Sequence, residues 1–583
     1  MGRTRYKAGP GARPLQELPA AALRAVLREG YGAADLKSDV LAGMVVGVVA
    51  LPLAMALAVA VGVPPQQGLY TAIVAGFFVA ALGGSRTQVS GPTAAFIVIL
   101  APIQAKFGTA GLLVSGLMAG VMLIAMGLAR MGRLIEFIPY PVTSGFTAGI
   151  GTVIATLQLK DLLGLKLEHA PEHFLEKVGA MFAARGTASG WELGLGLATL
   201  ATLLLFPRVT RRVPAPLVAL PLAALAALTL ERLVPGAHFA TIARRFHTTI
   251  GGQVVPGIPQ LPPLPVLPWA MPGPGGAAFH LGLDSGRALL GGAFAIAMLG
   301  AIESLLSAVV ADGMARTKHD PDAELLSLGV GNVLAPFFGG IPATGAIART
   351  ATNIKSGARS PVAAMAHALT VLLAVLALAP LLGYLPMAAL AALLLLVAWN
   401  MSEVKHCVHI LRVAPRADVA VLLTCYVLTV GFDMVVGVTV GMVLAALLFM
   451  KRMAEVTEAR LIGDAHPDVA GPIPPGVAVY EISGPLFFGA AQKAMAALEI
   501  VAAETKAVVL LMDGVHAMDT TGLVALESVL AGLHKRRCLA LLTGVRAQPL
   551  SVLRKAGVTE REGVTLHATV ADALAAASRT GSG

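Results

Sequence analysis

One carboxylate stands where carboxylates are costly. Glu303 lies inside the apolar run GGAFAIAMLGAIESLLSAVVADGM (Gly291 to Met314), with at least one apolar turn on either side. A charge at the centre of a bilayer costs about 2.5 to 3.5 kcal/mol on insertion scales, so Glu303 must face a partner or a cavity. Its natural partner in the sequence is Arg349, in PATGAIART (Pro342 to Thr350). Two readings compete: a permanent Glu303 to Arg349 ion pair that locks two helices, or a carboxyl that binds a proton or helps to bind a cation, so that its charge changes in use. Ser304 and Ser307 could add supporting hydroxyls, although Ser on a membrane helix usually packs or bonds to its own backbone.

The arginine belongs to one of two matching short stretches. Ser90, Gly91, Pro92, Thr93 and Ala94 open the first, SGPTAAF; Thr344, Gly345, Ala346, Ile347, Ala348 and Arg349 carry the second. A span that begins in mid-membrane leaves its first N–H groups unpaired, and these add to the helix dipole to make an anion site. Small residues let backbone approach a ligand closely, and Ser and Thr add donors. Alone, either stretch reads as tight helix packing. As a pair in the two halves of a chain they point to a transporter's binding site.

The elements that must position these residues follow from composition. Of 583 residues, 56% are hydrophobic and 13% charged, too apolar a balance for a chain surrounded by water. Apolar runs near 20 residues recur from Val40 to Met450, and about fourteen segments, seven in each half, make the halves inverted repeats. The net charge of +10 could suggest nucleic acid, but Lys and Arg cluster in the short links (Arg130 and Arg133, Arg316 and Lys318, Lys405 to Arg416), as positive-inside signals do. With both ends cytoplasmic, every cluster falls on one side. The N-terminus shows no cleavable signal. Cys407, Cys425 and Cys538 have no metal-ligand spacing, and neither a catalytic constellation nor a GxxxxGK[ST] loop occurs. An enzyme, a cofactor and a metal are therefore not expected. Asp433, Asp312, Glu136 and Lys106 read as span-end residues, and His367 as a packed or hydrogen-bonded histidine.

Organisation follows the same logic. Residues 1–35 form an N-terminal segment, 36–453 a transmembrane domain, and 454–476 a linker ending in AGPIPPG. In 477–583, strand-like VAVYEIS, KAVVLLMD and CLALLTG alternate with helical runs at 490–504, 522–536 and 549–556, which implies a small α/β sheet. In MDTTGLVAL, Asp519, Thr520 and Thr521 precede a helix, where a hydroxyl can be its N-cap or a phosphorylation site.

PPQQGLYTAIVAG (Pro64 to Gly76), GGSRTQVSGPTAAF (Gly83 to Phe96), the Glu303 segment and PFFGGIPATGAIARTATNIKSGARSP (Pro336 to Pro361) together resemble the sulfate permease (SulP) family of anion transporters, and the C-terminal part resembles a STAS domain. The resemblance spans about Asp35 to Ala575. It implies an all-α membrane domain of fourteen segments in two inverted repeats, split into a core and a gate, with the anion held between the third and tenth segments and carried as an elevator. It also implies a homodimer in a bacterial inner membrane, and a cytoplasmic STAS domain with a protein partner and Thr520 at the phosphorylated position. Leu53 and Leu57 replace polar and aromatic residues of the first segment in many members, and Ile347 replaces a Thr of sodium-coupled ones. LPLAMALA, GRLIEFIP, MLGAIESLLSAVVADGM and LLVAWNMSE look like the dicarboxylic acid uptake (DauA-type) branch, which implies proton-coupled import of succinate, fumarate or aspartate. A bicarbonate, sulfate or chloride carrier is the alternative within the family. A membrane-tethered scaffold or sensor acting through its STAS domain is the alternative outside it.

Overall fold

The computed structural model describes residues 14–133, 138–167, 171, 174–210, 213–250, 253–432, 434–464, 466–467, 469, 472–487, 491–492, 494–495 and 504–580. Glu136, Asp433 and most of the helix expected at 490–504 lie outside them. The chain divides into two compact units, Met1–Met442 and Val443–Gly583.

Apolar composition and length produce the helices of the first unit. They are α1 (Ala33–Val61), α2 (Pro65–Leu82), α3 (Ile97–Leu128), α4 (Tyr140–Leu162), α5 (Gly190–Val209), α6 (Pro216–Leu233), α7 (Leu283–Ala315), α8 (Pro321–Leu334), α9 (Ile347–Lys355), α10 (Pro361–Leu382), α11 (Met387–Met401) and α12 (Arg416–Gly431), with α13 (Met434–Val456) running across the division. Among the described residues, ten helices are long and apolar enough to cross a membrane. Gly108, at φ 68° and ψ −174°, breaks α3 into two arms. No other residue type tolerates this conformation well, and a Cβ there would lie 2.3 Å from the Gly273 carbonyl carbon. With the arms of α3 counted separately and the shorter α8, α9 and α12 included, the described residues supply the fourteen expected segments.

The packing shows the repeat directly. Helix α10 lies against α1 and α2, α3 lies against α7 and α8, and α2 lies against α8. Exchanging the first seven segments for the last seven maps each of these pairs onto another or onto itself. The same holds for α4 with α12, α5 with α11, and α4 with α11. Two groups result, one of α1 to α3 with α7 to α10, the other of α4 to α6 with α11 to α13. They correspond to the core and gate.

Short strands punctuate the helices: β1 (Ser90–Gly91) before α3, the hairpin β2 (His247–Ile250) and β3 (Gln253–Pro256) between α6 and α7, and β4 (Thr344–Gly345) before α9. In the second unit, β5 (Glu458–Ile462), β6 (Val477–Ser483), β7 (Ala507–Gly514), β8 (Leu539–Thr543) and β9 (Val564–His567) form one sheet in that order, with β5 antiparallel and the others parallel. Alternation along β7 sends Val508, Leu510 and Met512 to a core with α14 (Thr520–Lys535) and α15 (Ala547–Lys555), and Val509 and Leu511 to a core with α16 (Val570–Thr580). The linker expected at 454–476 is thus not all linker, because Glu458–Ile462 adds an edge strand whose Arg460 bonds Glu481 across the pair at 2.8 Å.

The cap of α14 is a carboxylate and not the expected hydroxyl: Asp519 Oδ1 accepts from the Gly522 amide at 2.7 Å, leaving Thr520 and Thr521 exposed in the first turn. Asp519→Ala should cost this unit about 1 kcal/mol. Faster amide exchange along Thr520–Lys535 in the full-length protein is the measurement, and unchanged exchange would count against the cap.

Candidate anion-binding site

The site begins at two strands of two residues each. β1 pairs antiparallel with β4, Ser90 opposite Gly345 and Gly91 opposite Thr344, and the Ala346 amide extends the ladder to Val89 O at 2.9 Å. The lead-ins of α3 and α9, one from each repeat, are therefore joined main chain to main chain. The short spans read from the sequence are real: the first arm of α3 ends at Gly108, and α9 has nine residues. The lead-in before the helix runs further than expected, since Ser90 to Phe96, a short strand and then a turn, precede the first helical residue, Ile97.

Free donors collect at this junction. Among the described residues, the amides of Ile347, Ala348 and Arg349 have no hydrogen-bond acceptor, nor do those of Thr93, Ala94, Ala95 and Phe96. Arg349 is 3% exposed, and its Nη2 donates to the carbonyl of Pro92 across the junction. Close backbone makes this reach possible, since a Cβ at Gly91 would lie 2.7 Å from Arg349 Nη1.

Glu303 does not take the partner expected for it. Its Oε2 accepts from Thr93 Oγ1 at 2.9 Å, and no ion pair joins it to Arg349 among the described residues. The cause is geometric: Arg349 follows β4 closely and turns under β1, while half-buried Thr93 reaches α7. Ile347, by contrast, is 45% exposed, whereas neighbouring Thr344 and Thr350 are fully buried. The accessible side of the junction therefore presents Thr93, Glu303, Ile347 and Ala348, a mixture of one hydroxyl, one carboxyl and apolar surface.

Ser304 and Ser307 lie behind it. Ser304 Oγ accepts from Gln88 Nε2 at 2.8 Å, and Ser307 Oγ meets Thr350 Oγ1 at 3.3 Å. Thr344 Oγ1 donates to Gly300 O at 2.7 Å, so three side-chain contacts tie α7 to the residues around β1, β4 and α9. Residues that sequence reasoning passed over complete the frame. Buried Glu324 accepts from the amides of Gly84 and Ser85 at 3.0 and 3.1 Å, Asn332 bonds the Ala343 amide and carbonyl at 2.8 Å each, and Asn353 Nδ2 donates to Thr87 O at 2.9 Å. Polar residues inside apolar helices were the available signal. Lys106 and Asp312 fit their span-end reading: Lys106 is exposed over Phe107, and Asp312 holds His319 and Thr317 at 2.7 and 2.9 Å.

Two repeats of seven segments whose broken helices meet at free amides beside a buried cation define a multi-pass membrane carrier of anions. The comparisons agree, and the chain belongs to the sulfate permease family, whose model matches residues 36–425, with a STAS domain matched at 469–573. It is 39% identical to the candidate sulfate transporter YvdB of Bacillus subtilis over 92% of this chain and 96% of that one. It is 30% identical to the bicarbonate transporter BicA of Synechocystis over 89% and 90% of the two chains. The transmembrane domain of a cyanobacterial BicA superposes with a TM-score of 0.59 at 29% identity, covering 71% of this chain and 98% of that one. SLC26A9 shares the fold, with a TM-score of 0.81 at 18% identity over 99% and 98% of the chains. The protein is thus an anion transporter and not an enzyme.

Proposed function

We propose that this transporter takes up C4-dicarboxylates, such as succinate, fumarate or aspartate, together with protons, by moving the α1–α3 and α7–α10 group past the other as an elevator. The observation that carries the reading is a buried Arg349 with no carboxylate partner among the described residues, set beside two half-helix starts with free amides. Each helix start contributes about half a positive charge, so the site offers roughly two charges, enough for a dianion. Exposed Ile347 suits a substrate with a hydrocarbon stretch between its charges. Protonation of Glu303 would remove a like charge beside the anion and thereby couple the two. In this reading the carrier is a homodimer of the bacterial inner membrane, with its basic clusters, N-terminus and STAS domain on the cytoplasmic side, and Thr520 exposed to a kinase or protein partner.

Succinate uptake into proteoliposomes should rise as external pH falls, and Glu303→Gln should lower it and flatten that response. A Glu303→Gln variant with both the wild-type rate and the wild-type pH slope excludes Glu303 as the coupling group. A second reading, a carrier of sulfate or bicarbonate, is favoured by the names of the relatives above. Competition of each anion against labelled succinate separates the two. Truncation after Met453 distinguishes both from a scaffold, because a carrier retains transport.

A further inference from the structure

His367 of α10 is fully buried, and neither Nδ1 nor Nε2 meets full hydrogen-bond geometry, the ring resting only loosely against the Ala364 carbonyl one turn back. An unpaired buried polar group costs about 1 to 3 kcal/mol, which a leucine of similar volume would avoid. The ring also occupies a particular place. A Cβ on Gly76 of α2 would lie 3.2 Å from the Ser90 carbonyl oxygen and 3.9 Å from both Cε1 and Nδ1 of His367, so the ring edge and the back of β1 flank the same point. At Gly43 of α1 the corresponding position lies 2.8 Å from the His367 amide nitrogen, so the whole turn is pressed inward. Of the further buried side-chain atoms near β1 without a partner, which include Thr87 Oγ1, Gln88 Oε1 and Asn353 Oδ1, two belong to residues of the junction itself: Ser90 Oγ and Arg349 Nε. The Arg349 guanidinium lies beside the next residue of the same strand, since a Cβ on Gly91 would be 2.7 Å from its Nη1.

The three orphans are chemically complementary. A neutral imidazole has one donor and one acceptor, the guanidinium Nε–H is a donor, and a hydroxyl accepts. We propose that His367 is a positioning residue for the anion site: in the anion-bound state it accepts from Arg349 Nε and donates to Ser90 Oγ, fixing the guanidinium and β1 against the ligand from behind. The inference rests on the reading of the β1–β4 junction as the anion site.

The test uses full-length protein in liposomes with succinate, sulfate and bicarbonate, comparing His367→Leu, His367→Gln and wild type by saturation kinetics and thermal unfolding. Leucine should raise KM about ten-fold, the effect of losing one hydrogen bond to a charged group, with kcat nearly unchanged and Tm equal or higher. Glutamine, which keeps a donor and an acceptor, should bring KM back to within about three-fold of wild type. A leucine variant with wild-type KM overturns the proposal. So does equal impairment of both variants with a lowered Tm, which is the signature of packing alone. Wild-type protein whose uptake none of the three anions saturates removes the junction as an anion site, and this inference with it.

Discussion

Replacing Arg349 by glutamine should raise the KM for the transported anion about a hundred-fold while leaving the protein folded. One full charge a few ångströms from the ligand is worth about 3 kcal/mol at the effective dielectric of protein sites, which is roughly that factor. The second half of the expectation separates this site from a structural ion pair. Were Arg349 locked to Glu303, its loss would strand a buried carboxylate and cost about 3 to 5 kcal/mol of stability. Here Glu303 bonds Thr93, and Arg349 bonds only the Pro92 carbonyl among the described residues. Tm should therefore fall little. Lysine should rescue poorly, since an ammonium lacks the planar fork that can hold Pro92 O and a ligand together. Saturation of labelled uptake by the two variants, beside their melting curves, is the measurement. Wild-type KM in Arg349→Gln would mean the anion is held elsewhere.

Gly345→Ala should abolish transport and destabilise the first unit together. The added methyl would sit 2.2 Å from Gln88 Nε2 and 2.9 Å from Ser304 Cα, so either the Gln88 to Ser304 hydrogen bond or the β1–β4 pairing must give. Overpacking of this kind costs about 1 to 3 kcal/mol. A matched control is Gly291→Ala in α7, where a Cβ meets nothing within 4 Å and better helix propensity makes the change neutral or slightly stabilising. Equal uptake by the two variants would show that the junction tolerates displacement and is not the binding place.

Much of this was legible because membrane helices are written in long apolar runs and their breaks in Gly and Pro. The apolar stretch read from Val40 to Met450 opens within α1 and closes within α13, and SGPTAAF and PATGAIART mark both short spans. The partner of Glu303 was not legible. Composition says that a charge is buried, but rotation about the helix axis decides what it meets, and Thr93 rather than Arg349 lies on that side. Glu324 and Asn332 escaped notice for a related reason: their partners are main-chain groups at Gly84, Ser85 and Ala343, which only the fold brings near. The edge strand Glu458–Ile462 was hidden because alternating charge, which protects a sheet edge, also reads as a polar tether.

The ladder between Ser90–Gly91 and Thr344–Gly345 also limits how cargo can be released. Two halves stitched through their peptide groups cannot part like jaws without breaking those backbone hydrogen bonds. In the elevator proposed above the cradle travels whole, with its passenger aboard, and exchange with either compartment depends on what slides past it.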